Sequence, residues 1–582
     1  MCLYLMRDIV SPLSGFGSPF GRRRGLLTST AIARLLFSTD EPGFFYDFDD
    51  WSTLFQDNAG TIPVTAPNQG VALALDKSRG LKLGPEMLNP ALVGTVITLV
   101  GDGEFTAQPL VPLDTVTAGA YLVECDVVIR TGRLRFQIGG PSGSVFRTAP
   151  EFTGGPLKFF LRTQIDNPPN FIVFNDPTSA PIDADILNLT IKKIKGNPAT
   201  QVTTAARPLT AVHPDGGVRN LLDGDTHALA PNLGLAGMTI SAGSGPSGED
   251  RLITYNGTGE TTFLRFANRS GGVENTLSFE VKADGADFFA VGFSNSAGAN
   301  ALFDLAAGTV HTPPVTSENS AAIATLGDGW YRCSYTYSGI GSVVFIWCST
   351  TAVSPSGNTT MTTGDGVAGV LIRSRQQELG GTTTAHQRVK SFLDVTEAGK
   401  RSIRRLYFNG TSHFMETPVI TPNTDKVQVF AGVRKLSDDG NGVIFNINSV
   451  LAGSALLSAP YQIVSDLHYF SIRGDGSTRS ASTGDAAFSA PNTVVQTGLG
   501  DQSGPLTALR LNGASVDIST LSPGTGGFAA GVVNIGRRTA GDRYFNGFLD
   551  QLITRFGPNL DTATIEKTEK YVSTKVPEVE TL

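Results

Sequence analysis

Six histidines lie along the chain, His213, His227, His311, His386, His413 and His468, and none stands at metal-ligand spacing from another. Each reads as a loop or surface residue. Acidic pairs occur at Asp49 and Asp50 and at Asp438 and Asp439. Two carboxylates could serve as general acid and base or bind calcium, but adjacency in sequence is not the spatial separation that glycosidase chemistry needs. A solvated turn, as beside Gly440, is the simpler reading. Trp330 and Tyr331 follow the turn Gly327-Asp328-Gly329, with Tyr335, Tyr337 and Trp347 close behind. Exposed, these rings could stack on the apolar faces of sugars. The alternation from Tyr331 to Tyr337 instead favours an inward face, where aromatics supply core area. The cysteines Cys2, Cys125, Cys333 and Cys348 match neither a zinc module nor a disulfide framework and read as reduced thiols. Cys333 and Cys348 are the one pair that could face each other on neighbouring strands.

The sequence carries no G-x-x-x-x-G-K-[ST] phosphate loop, no H-E-x-x-H and no G-x-S-x-G. It nominates no catalytic, cofactor-binding or metal-ligating residue. Its 45 Lys+Arg against 52 Asp+Glu leave a net charge of −7 over 582 residues, without the basicity of a nucleic-acid binder. Apolar runs such as 91–100 are too short to span a bilayer. Arg22, Arg23 and Arg24 precede an apolar stretch, but Arg34 interrupts it and no small-x-small cleavage site follows, so no export signal is expected. Hydrophobic residues make up 40%, enough for real cores.

The elements that must position these residues are mostly strands. Charged residues are only 17%, while 67 glycines and 32 prolines mark many turns. Tyr121, Val123, Cys125, Val127 and Ile129 alternate with Glu124, Asp126 and Arg130, and Leu134, Phe136 and Ile138 with Arg133, Arg135 and Gln137. The same period returns at Leu187, Leu189 and Ile191, at Leu277, Phe279 and Val281, and at Val427, Val429, Ala431 and Val433. Half-buried strands need a second sheet to cover them, so several antiparallel sandwiches in series are expected. One helix is expected, near the C-terminus, with Asp561 or Thr562 as cap and Ile565, Thr568 and Val572 on one face.

Some phrases resemble known families. Phe44-Phe45-Tyr46-Asp47, Trp51-Ser52-Thr53-Leu54-Phe55-Gln56-Asp57, Pro63-Val64-Thr65 and Leu75-Asp76-Lys77-Ser78 resemble an opening segment of tailed-bacteriophage virion proteins. Gly329-Trp330-Tyr331-Arg332-Cys333 resembles a strand of phage carbohydrate-binding-module-like jelly rolls. Gln377-Glu378-Leu379 through Thr384-Ala385-His386-Gln387-Arg388-Val389 resembles that domain's closing strand, with His386 where Tyr is usual. Leu406-Tyr407-Phe408-Asn409-Gly410, Phe430-Ala431-Gly432-Val433-Arg434, Ile535-Gly536 and Phe545-Asn546-Gly547-Phe548-Leu549-Asp550 resemble concanavalin A-like or laminin-G-like lectin sandwiches. Such domains often carry Asp at the places of Asn409 and near His413, so the resemblance implies no retained metal site.

The resemblance implies an all-β, multi-domain fold of antiparallel β-sandwiches with one short C-terminal helix, in which two jelly rolls are inserted into a concanavalin A-like sandwich. Residues 43–80, 196–217 and 402–582 would form the discontinuous lectin-like domain. Residues 81–195 and 218–401 would be the inserted jelly rolls, and 1–42 an N-terminal arm that orders against another particle protein. The implied role is a virion structural protein of the tail, fibre or surface-adhesion class, assembled in the bacterial cytosol. Its expected partners are other virion proteins, host surface polysaccharide and its own copies, as a trimer by analogy with phage fibres, with no nucleic acid and no membrane insertion. A head-decoration or spacer protein without glycan binding is the alternative. A glycan depolymerase is disfavoured, for want of a catalytic carboxylate constellation.

Overall fold

The computed structural model describes residues 28–101, 107–112, 116, 119–138, 147–148, 154–163, 171–175, 181–222, 239–241, 250–253, 264–267, 274–293, 300–314, 319–338, 343–352, 366–448, 452–461, 467–483 and 488–579. Within them the chain is all-β, with two α-helices and three pairs of facing sheets. In the largest pair a ten-stranded sheet faces a nine-stranded one. Alternation explains the packing of its central strand, Lys426–Lys435. Val427, Val429, Ala431 and Val433 point into the core between the sheets, and Phe430 points to the opposite face, against both helices.

Distant stretches of chain build these two sheets. Gly43–Asp47 pairs antiparallel with Asn546–Phe556, Phe44 opposite Thr554 and Asp47 opposite Gln551. Leu209–Pro214 pairs with Ser402–Asn409. In the facing sheet Ala199–Thr200 lies between Leu73–Ala74 and Met415–Ile420. Phe44, Tyr46, Phe48 and Trp51 are buried in the same core as Phe445, Phe470, Leu549 and Phe556. Burying each such ring is worth roughly 1.5–3 kcal/mol, so the early segment is integral to the sandwich.

The other two sheet pairs come from the intervening sequence. Tyr121, Val123 and Cys125 face Leu134, Phe136 and Ile138 in a core drawn from Ala59 and residues 88–191, with contributions from Phe159 and Phe171. Expected alternation breaks once here. Asn188, at φ +52°, sits at a register shift in Asp183–Ile194, so Ala184 and Ile186 face inward before it, Leu189 and Ile191 after it, and Leu187 is only half-buried. An extra residue in one strand shifts the facing of those that follow. A third core, with Leu277, Phe279, Val281, Cys333, Tyr335, Tyr337, Phe289 and Phe303, joins a six-stranded to a five-stranded sheet.

Two boundaries differ from the sequence expectation. Residues 28–42 are not a free arm: Ser29–Leu36 is a helix capped by Thr28, and Ile32, Leu36 and Phe37 are buried against Phe45, Phe430, Ile553 and Val572. Arg34, which interrupts the apolar run in sequence, is exposed on the outer side of that helix. Buried Arg555 donates to Leu36 O at 2.6 Å and to Glu41 Oε1 at 2.8 Å. The remainder of the proposed arm, 1–27, lies outside the described residues. The second boundary is at the end of the second inserted module. The hairpin Gln387–Ser391 and Asp394–Glu397 joins the ten-stranded sheet beside Leu209–Pro214, so that module ends before Gln387 rather than at 401. Its last strand is Gly369–Leu379, which contains Gln377–Leu379 of the expected closing segment, while the part around His386 lies outside that strand.

Each inserted module leaves and re-enters the large sandwich at one point. Lys195 N donates to Lys82 O at 3.0 Å. Just outside that contact Asp76, 1% exposed, accepts from Phe45 N at 2.8 Å, Ser78 N at 2.8 Å, Ser78 Oγ at 2.9 Å and Asn197 N at 2.6 Å. Gly196 is required beside it: its φ is +118°, and a Cβ would stand 2.6 Å from Asp76 Oδ2. At the second insertion Asn220 holds both ends. Its Nδ2 donates to Arg375 O and Gln387 O, and its Oδ1 accepts from Gln377 N and Leu222 N.

Asp76→Ala would strand three buried N–H donors on two separated segments. We expect a loss of about 3 kcal/mol or more, read as a lower urea midpoint of the full chain. A change below about 0.5 kcal/mol would show that Asp76 does not join the segments.

Candidate functional site

The side chains that sequence chemistry singled out are mostly engaged in structure. His213, His413 and His468 are buried, correcting their reading as loop or surface residues; His311 is exposed, His386 is half-buried, and His227 lies outside the described residues. His213 sits 2.8 Å from Phe392 O and 3.2 Å from Arg405, and burial, reinforced by the Arg405 charge, pushes its imidazole down to about 3. Three of these four carboxylates face cations, which corrects the solvated-turn reading for them, while Asp439 is exposed at the bend beside Gly440. Asp49 meets Lys575 at 2.8 Å, Asp50 meets Lys77 at 2.9 Å, and Asp438 takes the fully buried Lys435 ammonium. Cys125, Cys333 and Cys348 are buried free thiols. Trp330, Tyr335, Tyr337 and Trp347 are buried, and the Arg373 guanidinium covers the Trp330 ring at 4.0 Å. Asn409 caps its own turn, its oxygen accepting from Thr411 N, Ser412 N and His413 N. Among the described residues no three or more His, Cys, Asp or Glu are grouped to hold a metal ion.

A different surface brings together rings and guanidinium groups at one end of the large sandwich. Tyr461 and Tyr469 stack with ring centroids 3.7 Å apart and planes 7° from parallel. Arg543 lies 5.7 Å from the Tyr461 centroid, and its neighbour Tyr544 meets Phe414 edge-on at 6.5 Å. Arg537 lies 3.3 Å from the Phe414 centroid. All six side chains are half-buried: fixed at the base, accessible at the rim.

The local backbone explains why they meet. Phe545 is fully buried and its N–H donates to Gly536 O at 2.9 Å, closing the intervening segment into a loop. Asn446 Oδ1 accepts from Thr539 N and Thr539 Oγ1, nailing that loop to the nine-stranded sheet. Val443 N donates to Arg543 O at 3.0 Å, and Gly442 N to Pro460 O at 2.9 Å, so residues 442–443 bridge the arginine loop to the tyrosines. That approach requires glycine, because a Cβ at Gly442 would stand 2.6 Å from Ala459 O. Arg543 holds φ +57°, a conformation costly for a non-glycine residue and concentrated at functional positions.

Beneath the tyrosines lies a buried polar layer. Gln496 donates to Ser458 O at 3.2 Å and Tyr469 O at 3.4 Å, and its Oε1 stands 3.1 Å from His468 Nδ1. Burial pushes the His468 imidazole down to about 4 despite the Gln496 hydrogen bond, with the Lys435 charge adding to the depression. Burial also holds the Tyr469 phenol above its ordinary value, so it stays a neutral O–H. The charges on the rim are unequal. Arg537 pairs with Glu416 at 2.8 Å and Arg538 with Asp542, but no carboxylate among the described residues pairs with Arg543. The arrangement offers apolar ring area, phenol groups and a guanidinium with no ion-paired carboxylate among the described residues, groups suited to a polyhydroxylated ligand. Sequence reasoning missed it because the rings lie on separate loops and at a strand end, without periodicity. The one visible signal was the cluster Arg537, Arg538 and Arg543 between the lectin-like phrases.

No family model matches the chain, and no curated protein matches it. Among solved structures it is similar to mouse laminin alpha1 chain domains LG4-5, at 14% identity and TM-score 0.22 over 59% of this chain and 95% of that one. It is also similar to NanB plus Optactamide, at 12% identity and TM-score 0.20, over 24% of this chain and 23% of that chain's length.

The depressed histidines give a pH dependence of definite sign. An unfolded imidazole takes its proton near 6.5, whereas folded His213 and His468 resist it down to about 3 and about 4. Their contribution is intact above pH 6.5 and lost as pH falls toward 4, by up to about 1.4 kcal/mol per unit for each histidine. Urea unfolding of His468→Gln should show a shallower loss between pH 6.5 and 4 than the unaltered chain. Identical slopes would mean that His468 is not buried neutral.

Proposed function

We propose that this chain is a structural protein of a tailed-bacteriophage particle, displayed as a tail, fibre or adhesion component. Its lectin-like sandwich would hold host surface glycan on the rim formed by Tyr461, Tyr469, Phe414, Tyr544 and Arg543. The particle assignment rests on the sequence phrases resembling virion proteins. The glycan assignment rests on one observation, the half-buried rings and guanidinium fixed at the end of a rigid sandwich. Sites of this kind recognise ligands by apolar contact plus a few placed polar groups. We read the role as binding rather than turnover, since Asp49, Asp50 and Asp438 are each held by a lysine and Asp439 is exposed at a bend. Assembly would take place in the host cytosol, and a homotrimer would multiply weak site affinities by about 100-fold or more where geometry allows.

A spacer or head-decoration role without glycan binding is the second reading. The hydrogen bonds that hold the two insertion points serve a spacer as well as an adhesin.

On a glycan array the full chain should bind a subset of bacterial surface polysaccharides, with Tyr461→Ala and Tyr469→Ala each weakening binding by about tenfold, the upper end for an aromatic contact. Silence across the array would favour the spacer, and release of reducing ends from bound polysaccharide would overturn the binding-only role. Mass spectrometry of purified particles should find the chain in stoichiometric copies, and light scattering should find a trimeric mass. Absence from particles would remove the virion assignment.

A further inference from the structure

The charge balance of the rim goes further than glycan binding in general. Arg537 and Arg538 are spent on Glu416 and Asp542, and Arg537 also covers the Phe414 ring. Arg543 differs in its charge balance: no carboxylate among the described residues forms an ion pair with it, while it lies over Tyr461 of a stacked tyrosine pair and its backbone is held at φ +57°. Its positive field is felt locally. The Asp542 carboxyl is held below its ordinary value by the Arg538 hydrogen bond first, with the charges of Arg538 and Arg543 contributing. A guanidinium presents a planar fork of N–H donors that matches a carboxylate, and it is less strongly hydrated than an ammonium. A neutral sugar would leave that fork bound only to water, whereas an acidic sugar pairs it while its ring lies against the tyrosines.

We propose that the rim selects acidic glycans, with Arg543 receiving the carboxylate of a uronic or sialic acid residue whose ring packs beside Tyr461 and Tyr469. This rests on the glycan-binding reading above and names its ligand class. The backbone strain at Arg543 supports it, because Gly or Asn would hold φ +57° at lower cost and neither carries the charge. The pairing is partly exposed, so binding should weaken as ionic strength rises.

The test uses the full chain and three acidic polymers, polygalacturonate, alginate and polysialic acid, each beside its carboxyl-reduced counterpart, together with a panel of neutral bacterial polysaccharides. At least one acidic polymer should bind about tenfold more tightly than its reduced form, the scale of one charge-assisted hydrogen bond. In Arg543→Asn, a residue that tolerates the same φ, that ratio should fall to about one. Arg543→Lys should retain part of it, and an unchanged urea midpoint would show that both variants fold. Equal or tighter binding of the reduced polymers, or a preference confined to neutral polysaccharides, overturns the acidic class and leaves the adhesion reading standing. An unchanged ratio in folded Arg543→Asn overturns the role of Arg543. Failure to bind any polymer, acidic or neutral, overturns both readings together.

Discussion

The carboxylate of Asp76 carries a constraint on which much of the molecule depends. The large sandwich is assembled from stretches of chain separated by whole modules, and its early segment supplies core aromatics and an entire strand. The ladder to Asn546–Phe556, with Gln551 donating to Asp47 and Arg555 to Glu41, sets the register of that segment. Asp76 ties the same segment to the chain beyond the first insertion by accepting N–H groups from Phe45, from Ser78 and from Asn197. Burial pushes its carboxyl up, and those three backbone donors work against that penalty. Asn197 completes the closure, its Nδ2 donating to Gly43 O at 2.7 Å and its carbonyl accepting the Tyr46 hydroxyl. A buried anion left unpaired costs several kcal/mol, so these partners must meet for the sheet to form.

The same economy governs the second insertion and the C-terminal segment. Closing a loop of many residues costs only a little more entropy than closing a short one, so a module can be inserted wherever its ends are brought together. Asn220 and Gln387 bring them together, Gln387 Nε2 reaching Gly217 O at 2.9 Å and Glu397 at 2.8 Å. Further along, Arg405, fully buried, meets Asp550 at 2.8 Å and reaches Glu578 at 3.3 Å. That cluster ties the chain's last turns to the strands Ser402–Asn409 and Asn546–Phe556. Burial, opposed by Arg405 and reinforced by Glu578, pushes the Asp550 carboxyl up to about 7. Buried pairs of this kind add little net stability over an apolar replacement, but breaking one is expensive. Their effect is to leave one arrangement of the segments.

The rim is tied into the sandwich. The stacked tyrosines, the arginine loop and the bridge at Gly442 are each hydrogen-bonded to strands whose side chains lie in the core. Groups held in place before binding lose less freedom when a ligand arrives. Among the described residues the inserted modules bury most of their aromatics in their own cores, Phe136, Phe159 and Phe171 in one and Phe279, Phe289, Phe303 and Tyr335 in the other.

Much was legible from residue types alone. Alternation over 121–138, 277–281 and 427–433 marked strands with one face inward, and the cap and apolar face of Thr562–Ser573 were readable because helix periodicity is local. Phrases such as Phe44-Phe45-Tyr46-Asp47 and Leu75-Asp76-Lys77-Ser78 pointed, through the resemblance they carry, to the interrupted sandwich, although nothing in them shows which atoms bond. The helix Ser29–Leu36 was misread because its apolar residues are too few to make a core of their own; it borrows one from Phe430 and Ile553. Burial of His213 and His468 was hidden for the same reason, since a single polar residue shows no period and its solvation depends on what packs over it. The rim is the clearest case. Pattern along the chain, set by backbone geometry within a few residues, determined the strands, the class of fold and the C-terminal helix. Which ring meets which guanidinium was decided only when turns far apart in sequence were brought to one edge by hydrogen bonds that no local pattern records.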